Sequence, residues 1–94
     1  MNKTIMDRRE DILSIARNFG AKSVRVFGSV ARGDDNPESD LDIILEMEPG
    51  ASLLDIIAIK QDIEELLDLH VDVVTESSIS PYIRDKVIKE AVSL

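Results

Sequence analysis

Between Asp40 and Thr75 the chain changes its hydrophobic period twice, from two to the helical repeat and back to two. From Asp40 to Glu46, Leu41, Ile43 and Leu45 share one face while Asp40, Asp42, Ile44 and Glu46 share the other, the pattern of a strand with one covered side. Pro49-Gly50 ends that segment. Ser52 with Asp55 three positions later has the form of a capping box. Leu53, Ile56, Ile57, Ile59, Ile63, Leu66 and Leu67 then predict a broad apolar stripe over about four helical turns, with Leu54 off it. Leu69 to Thr75 alternates again, Leu69, Val71 and Val73 on one face and His70, Asp72 and Val74 on the other.

The flanking segments fit the same scheme. Ile5, Ile12, Leu13, Ala16 and Phe19 recur at helical spacing, predicting one helix over Thr4 to Phe19, capped by Thr4 or Asp7 and stopped by Gly20. Ser23 to Phe27 reads as a strand with Val24 and Val26 on one side and Arg25 and Phe27 on the other, turning at Gly28-Ser29. Gly33 to Ser39 is dense in turn formers and reads as a loop. A last helix is expected from Ser80-Pro81, a cap followed by proline, with Ile83, Val87, Ile88 and Ala91 at helical intervals and Tyr82 and Arg84 at the surface. The order α-β-β-α-β-α predicts an α+β fold, a small sheet with helices packed on one face. Leu41, Ile43, Leu45, Val71 and Val73 would be buried and Asp40, Asp42 and Asp72 left on the open face. With 94 residues, a single domain over 1–94 is expected.

Composition narrows the function classes. There is no cysteine, so disulfides, thiolate zinc sites and cysteine nucleophiles are excluded, and a metal must be held by oxygen or by His70, the one histidine. The net charge is −8; through Met47 there are seven Lys or Arg against nine Asp or Glu, and four against ten thereafter. Such a chain repels a phosphate backbone, so direct binding of duplex nucleic acid is not expected, and an anionic ligand needs local cations. No stretch approaches the roughly 18 apolar residues of a membrane span, and no apolar signal core follows Met1; a cytoplasmic protein is the expectation.

Three carboxylates on one exposed face repel each other unless cations sit among them. Asp40 and Asp42 point the same way with Cβ atoms roughly 6.5–7 Å apart, a spacing that suits convergence on a hard divalent ion such as Mg²⁺. Gly28-Ser29 directly follows a strand and opens a short helical turn, Val30-Ala31-Arg32; glycine permits close backbone approach, and free N–H groups there favour phosphate oxygens. Other readings of the same residues stay open at this point. Ser39-Asp40 could cap a turn, Asp72 could protect a sheet edge, and Arg32 could meet a phosphate or pair with Asp34 or Asp35. His70 shares a face with Asp72 but reads more naturally as a structural side chain.

The run GSVARGDDNPESDLD, Gly28 to Asp42, resembles the signature of the DNA polymerase β-like nucleotidyltransferase superfamily, a Gly-Ser followed by Asp-x-Asp. The form GSxARGD…SDxD is similar to its minimal nucleotidyltransferase (MNT) branch, and HVDVV supplies Asp72 where that family has a third carboxylate. The resemblance implies a mixed sheet and transfer of AMP from ATP to a hydroxyl with release of pyrophosphate. Asp40, Asp42 and Asp72 would then be catalytic and would hold two Mg²⁺ ions about 3.5–4 Å apart. Asp72 would also accept the hydroxyl proton, and Gly28, Ser29 and Arg32 would bind the nucleotide phosphates. It further implies an antitoxin whose partner is a helical HEPN-type toxin, modified on a tyrosine hydroxyl, because the chain has no appended acceptor-binding domain. Neutralisation by binding alone and modification of a small hydroxylated molecule are the competing expectations. Self-association is left open.

Overall fold

The computed structural model describes residues 1–94 as an α+β fold with a four-stranded mixed sheet. Its elements are α1 (Lys3–Asp7), α2 (Arg9–Asn18), β1 (Ala21–Phe27), α3 (Gly28–Arg32), β2 (Leu41–Met47), α4 (Leu53–Leu67), β3 (Val71–Thr75), a 3₁₀ turn (Glu76–Ser78), α5 (Arg84–Glu90) and β4 (Val92–Ser93). The strand order is β3-β2-β1-β4. β1 and β2 run antiparallel and β2 and β3 parallel, and α4 is the crossover that a parallel pair requires.

β2 lies inside the sheet, paired on both sides, and its alternation follows from the helices that cover one of its faces. Leu41, Ile43 and Leu45 are sealed with Val24, Val26 and Val71 against Ile12, Leu13 and Ala16 of α2 and Ile59, Ile63 and Leu67 of α4. The opposite face is not wholly open: Ile44, on the side of Asp42, is fully buried, and it and Ile79 are the two buried apolar residues outside the main cluster. No helix is long and apolar enough to cross a membrane.

Several expectations from the sequence need correction, among them Val73, which is half-buried rather than buried. The helix foreseen over Thr4 to Phe19 is broken at Arg8, and its cap is Asn2, whose Oδ1 accepts from the N–H groups of Thr4 (2.7 Å) and Ile5 (3.3 Å). The polar run Asp7–Asp11 offers nothing to bury between Ile5 and Ile12, so that turn has no hold on the core. On α4 the stripe is narrower than foreseen: Leu53 (69%) and Ile57 (39%) are exposed, and burial is complete only at Ile59 and Ile63. The capping box is present, with the Ser52 N–H donating to Asp55 Oδ2 at 2.9 Å.

The last helix begins at Arg84 rather than at Pro81, because the chain first turns on the Ser80 carbonyl, which accepts from Ile83 and Arg84 N–H at 3.1 and 3.0 Å. Arg84 is half-buried rather than a surface residue, its Nη2 donating to the Glu76 carbonyl at 3.0 Å. Beyond α5 the chain adds β4 on the free edge of β1, with Val26 opposite Val92. Two residues are too short a run to show a period, so this strand has no sequence signature.

Candidate active site

The site is assembled where β1 ends and β2 and β3 begin. The β2–β3 register sets Asp42 level with Asp72, and the β1–β2 register sets Phe27 level with Asp42. Paired residues on neighbouring strands point to the same face, so the two carboxylates are thrown together by strand pairing alone. Asp40 lies one residue ahead of β2 and His70 one ahead of β3, tied by the hydrogen bond from Leu41 N–H to the His70 carbonyl at 3.0 Å. Ligand atoms of Asp40, His70 and Asp72 all lie within 4.8 Å of one another. His70 Nδ1 is 3.4 Å from Asp40 Oδ2 and 3.7 Å from Asp72 Oδ1.

Asp42 is the most constrained of these side chains. Burial, then the charge of Asp72, a hydrogen bond with Asp72 and the charge of Asp40 push its carboxyl above the ordinary value of 3.8, against a weaker opposing pull from Arg32. A carboxylate destabilised by two neighbours of like charge is relieved by a cation. The group whose ligand atoms could meet on one ion is Asp40, His70 and Asp72, with Asp42 outside it but level with Asp72; carboxylate oxygens with one imidazole nitrogen fit a divalent cation.

Gly28 closes the other side. It adopts φ +74°, and a Cβ there would collide with the Asp42 carboxylate. Glycine is therefore required twice over, by conformation and by space. From Gly28 the chain enters α3, so the sequence-predicted turn Gly28-Ser29 does open a helix beside the acids. Arg32 is not free: its Nε pairs with Asp34 Oδ2 at 3.2 Å and its Nη1 with Glu90 Oε2 at 3.4 Å.

Asp40, Asp42, Asp72 and Gly28 are thus brought together, Ser29 follows on α3, and Arg32 stands one helical turn on, held by carboxylates. His70 is the residue that reading the sequence passed over. Its one signal was its position two residues before Asp72 on the same face; the level of Asp40 emerges only from the register.

A family model described as nucleotidyltransferase domain matches residues 9–94. A protein of Methanocaldococcus jannaschii, provisionally named protein adenylyltransferase MJ0435, is 39% identical over 96% of this chain and 97% of its own length. Protein adenylyltransferase MntA of Thermococcus cleftensis is 38% identical over 83% and 79%. A solved structure described provisionally as a minimal nucleotidyltransferase superposes with a TM-score of 0.88 at 44% identity, covering 98% of this chain and 94% of that one. The fold also recurs in a solved complex of a tri-AMPylated Shewanella oneidensis HEPN toxin with an MNT antitoxin, at a TM-score of 0.69 and 19% identity over 94% and 69% of the two chains.

Proposed function

The chain belongs to the nucleotidyltransferase domain family, and from that premise we propose that it transfers AMP from ATP to a hydroxyl of a protein partner. The observation that carries the reading is the Asp42–Asp72 pair at one register, with Asp40 beside it and a Gly-Ser turn against Asp42. The protein adenylyltransferase names of its relatives point to a protein acceptor. The Shewanella complex of a tri-AMPylated HEPN toxin with an MNT antitoxin supports a HEPN-type toxin as the partner and the chain as its antitoxin; a tyrosine hydroxyl is the acceptor group we propose. The cytoplasm, with its ATP and Mg²⁺, is the matching compartment.

In this reading Asp40, Asp42 and Asp72 are the residues that would hold two Mg²⁺ ions. Those ions supply neutralisation of the phosphate charge and activation of the acceptor oxygen. The hydroxyl oxygen bonds to the α-phosphorus of ATP, the bond to the β-phosphate oxygen breaks, and pyrophosphate leaves. Asp72, more exposed than Asp42, takes the hydroxyl proton. Gly28 and Ser29 carry the phosphates on the start of α3, and Arg32 adds a cation one turn on. His70 Nδ1 stands within 4 Å of the Asp40 and Asp72 carboxylates and would be a further ligand to an ion held there. Alignment and charge neutralisation then lower most of the barrier.

The test is to incubate the protein with its helical partner, ATP and Mg²⁺, and to weigh the partner intact. Gain of one or more AMP units with matching pyrophosphate release is expected. An unchanged mass with active partner and ATP present overturns the reading. Asp42→Asn separates catalysis from cover: if that variant protects against the toxin as well as the parent does, neutralisation is by binding alone.

A further inference from the structure

Tyr82, the one tyrosine of the chain, is 97% exposed. Tyrosine ordinarily buries its ring and leaves only the hydroxyl wet; here the ring has no packing from its own chain. Pro81 before it and Ile83 after it are exposed as well. The backbone beneath is not loose, since the Ser80 carbonyl accepts from the N–H groups of Ile83 and Arg84 at 3.1 and 3.0 Å. A fixed turn thus holds a phenol out into solvent. Its place on the molecule gives that a meaning. Ile83 lines a cavity of about 240 Å³ together with Phe27 and Gly28, and Gly28 is the turn against which Asp42 packs. The phenol therefore stands at the rim of the face that carries the acids.

We propose that Tyr82 is itself an acceptor, adenylylated by a second copy of this chain. The inference rests on the AMP-transfer reading and names a further substrate for it. Attack needs the acceptor oxygen about 3–3.5 Å from the α-phosphorus. A side chain that touches nothing of its own molecule is not at its own aspartates, so the site that takes it belongs to another copy. Two copies meeting rim to rim about a two-fold axis set each phenol before the other's acids, the reciprocity of an isologous contact. The Tyr82 oxygen bonds to the α-phosphorus of ATP held by the second copy, the bond to the β-phosphate oxygen breaks, and pyrophosphate leaves with the electron pair. The phenolic proton passes to Asp72 of that copy. The product carries a phosphodiester charge and an adenosine at the rim of its own site.

The full chain incubated alone with ATP and Mg²⁺, weighed intact and mapped by proteolysis, tests this. An AMP unit on the peptide that holds Tyr82 is expected, at a rate per molecule that rises with protein concentration. Tyr82→Phe should lose that label entirely and still modify the protein partner at the parent's rate; the hydroxyl it lacks lies in solvent, so the fold is unchanged. Mixing two variants decides whether transfer runs between copies: Tyr82→Phe, which keeps the acids, should label Asp42→Asn, which keeps the tyrosine. An unlabelled parent chain beside a labelled protein partner overturns the proposal and leaves the transfer reading standing, whereas no label on either removes both. Label on another residue in place of Tyr82, a rate independent of concentration, or an unlabelled Asp42→Asn in the mixture also overturns it.

Discussion

Two carboxylates near the start of β3 are in opposite situations, on opposite sides of the strand. Glu64 of α4 accepts from Lys60 Nζ at 2.9 Å and from the Val71 N–H at 3.0 Å. The Lys60 bond first, and the Val71 bond after it, hold its carboxyl below the ordinary value of 4.5. One residue along, Asp72 faces Asp42, which burial and that neighbour push the other way. Glu64 finds its donors inside the chain and pins the crossover helix to the strand it feeds. Asp42 is surrounded by more negative charge than the fold can answer. A carboxylate completed internally belongs to the architecture; one left incomplete marks where a ligand's charge is needed.

Substitution should separate the two. Asp42→Asn is expected to lower AMP transfer by on the order of a thousandfold, with the metal-free melting temperature unchanged or raised, because a repelled charge is removed. Glu64→Gln should retain transfer per folded molecule and lose some thermal stability. A fall in transfer as large as that of Asp42→Asn would erase the contrast.

Metal addition sharpens it. Mg²⁺ at about 100 times its dissociation constant should stabilise the parent and Glu64→Gln by about 2.7 kcal/mol, read from the melting temperature, and should do little for Asp42→Asn. Gly28→Ala should cost about 1–3 kcal/mol through its positive φ and also suppress transfer through the collision with Asp42. Stability retained with transfer intact would show that the turn has more room than the geometry allows.

The smallest expected effect is on pH dependence without metal, and its sign differs between the two groups. Asp42 titrates higher in the native state, so that state binds more protons from pH 3.8 up to the raised value, and stability falls as pH rises through that window. Glu64 titrates lower, so its contribution is present above 4.5 and is lost as pH falls through the lowered value. Glu64 lies near the surface, where solvent screening keeps its share small. Denaturant midpoints measured across acid pH should lose the first slope in Asp42→Asn and the second in Glu64→Gln.

Much of the fold could be read along the chain. Leu41, Ile43 and Leu45 of β2, and Val24 and Val26 of β1, are buried as their period required, whereas Ile44 on the other face of β2 is buried as well, which alternation alone does not foretell. The turn at Gly28 and the capping box at Ser52 were equally legible, since each is a matter of a few adjacent residues. Leu53 and Ile57 were misjudged because a helical stripe states which side is apolar, not how far along the helix a neighbour extends. β4 was invisible because its pairing comes from β1 rather than from anything in Val92–Ser93.

The sequence by itself determined that β1, β2 and β3 are strands and α4 a helix, and which side of each is apolar, because period is a local property of covalent order. Tertiary structure decided the level at which strands meet, and with it the company of each acid. Asp42 opposite Asp72, His70 beside Asp40, and Ile83 across a cavity from Gly28 all depend on contacts between residues far apart in the chain. Those contacts are set by how the whole core closes, which no local pattern encodes.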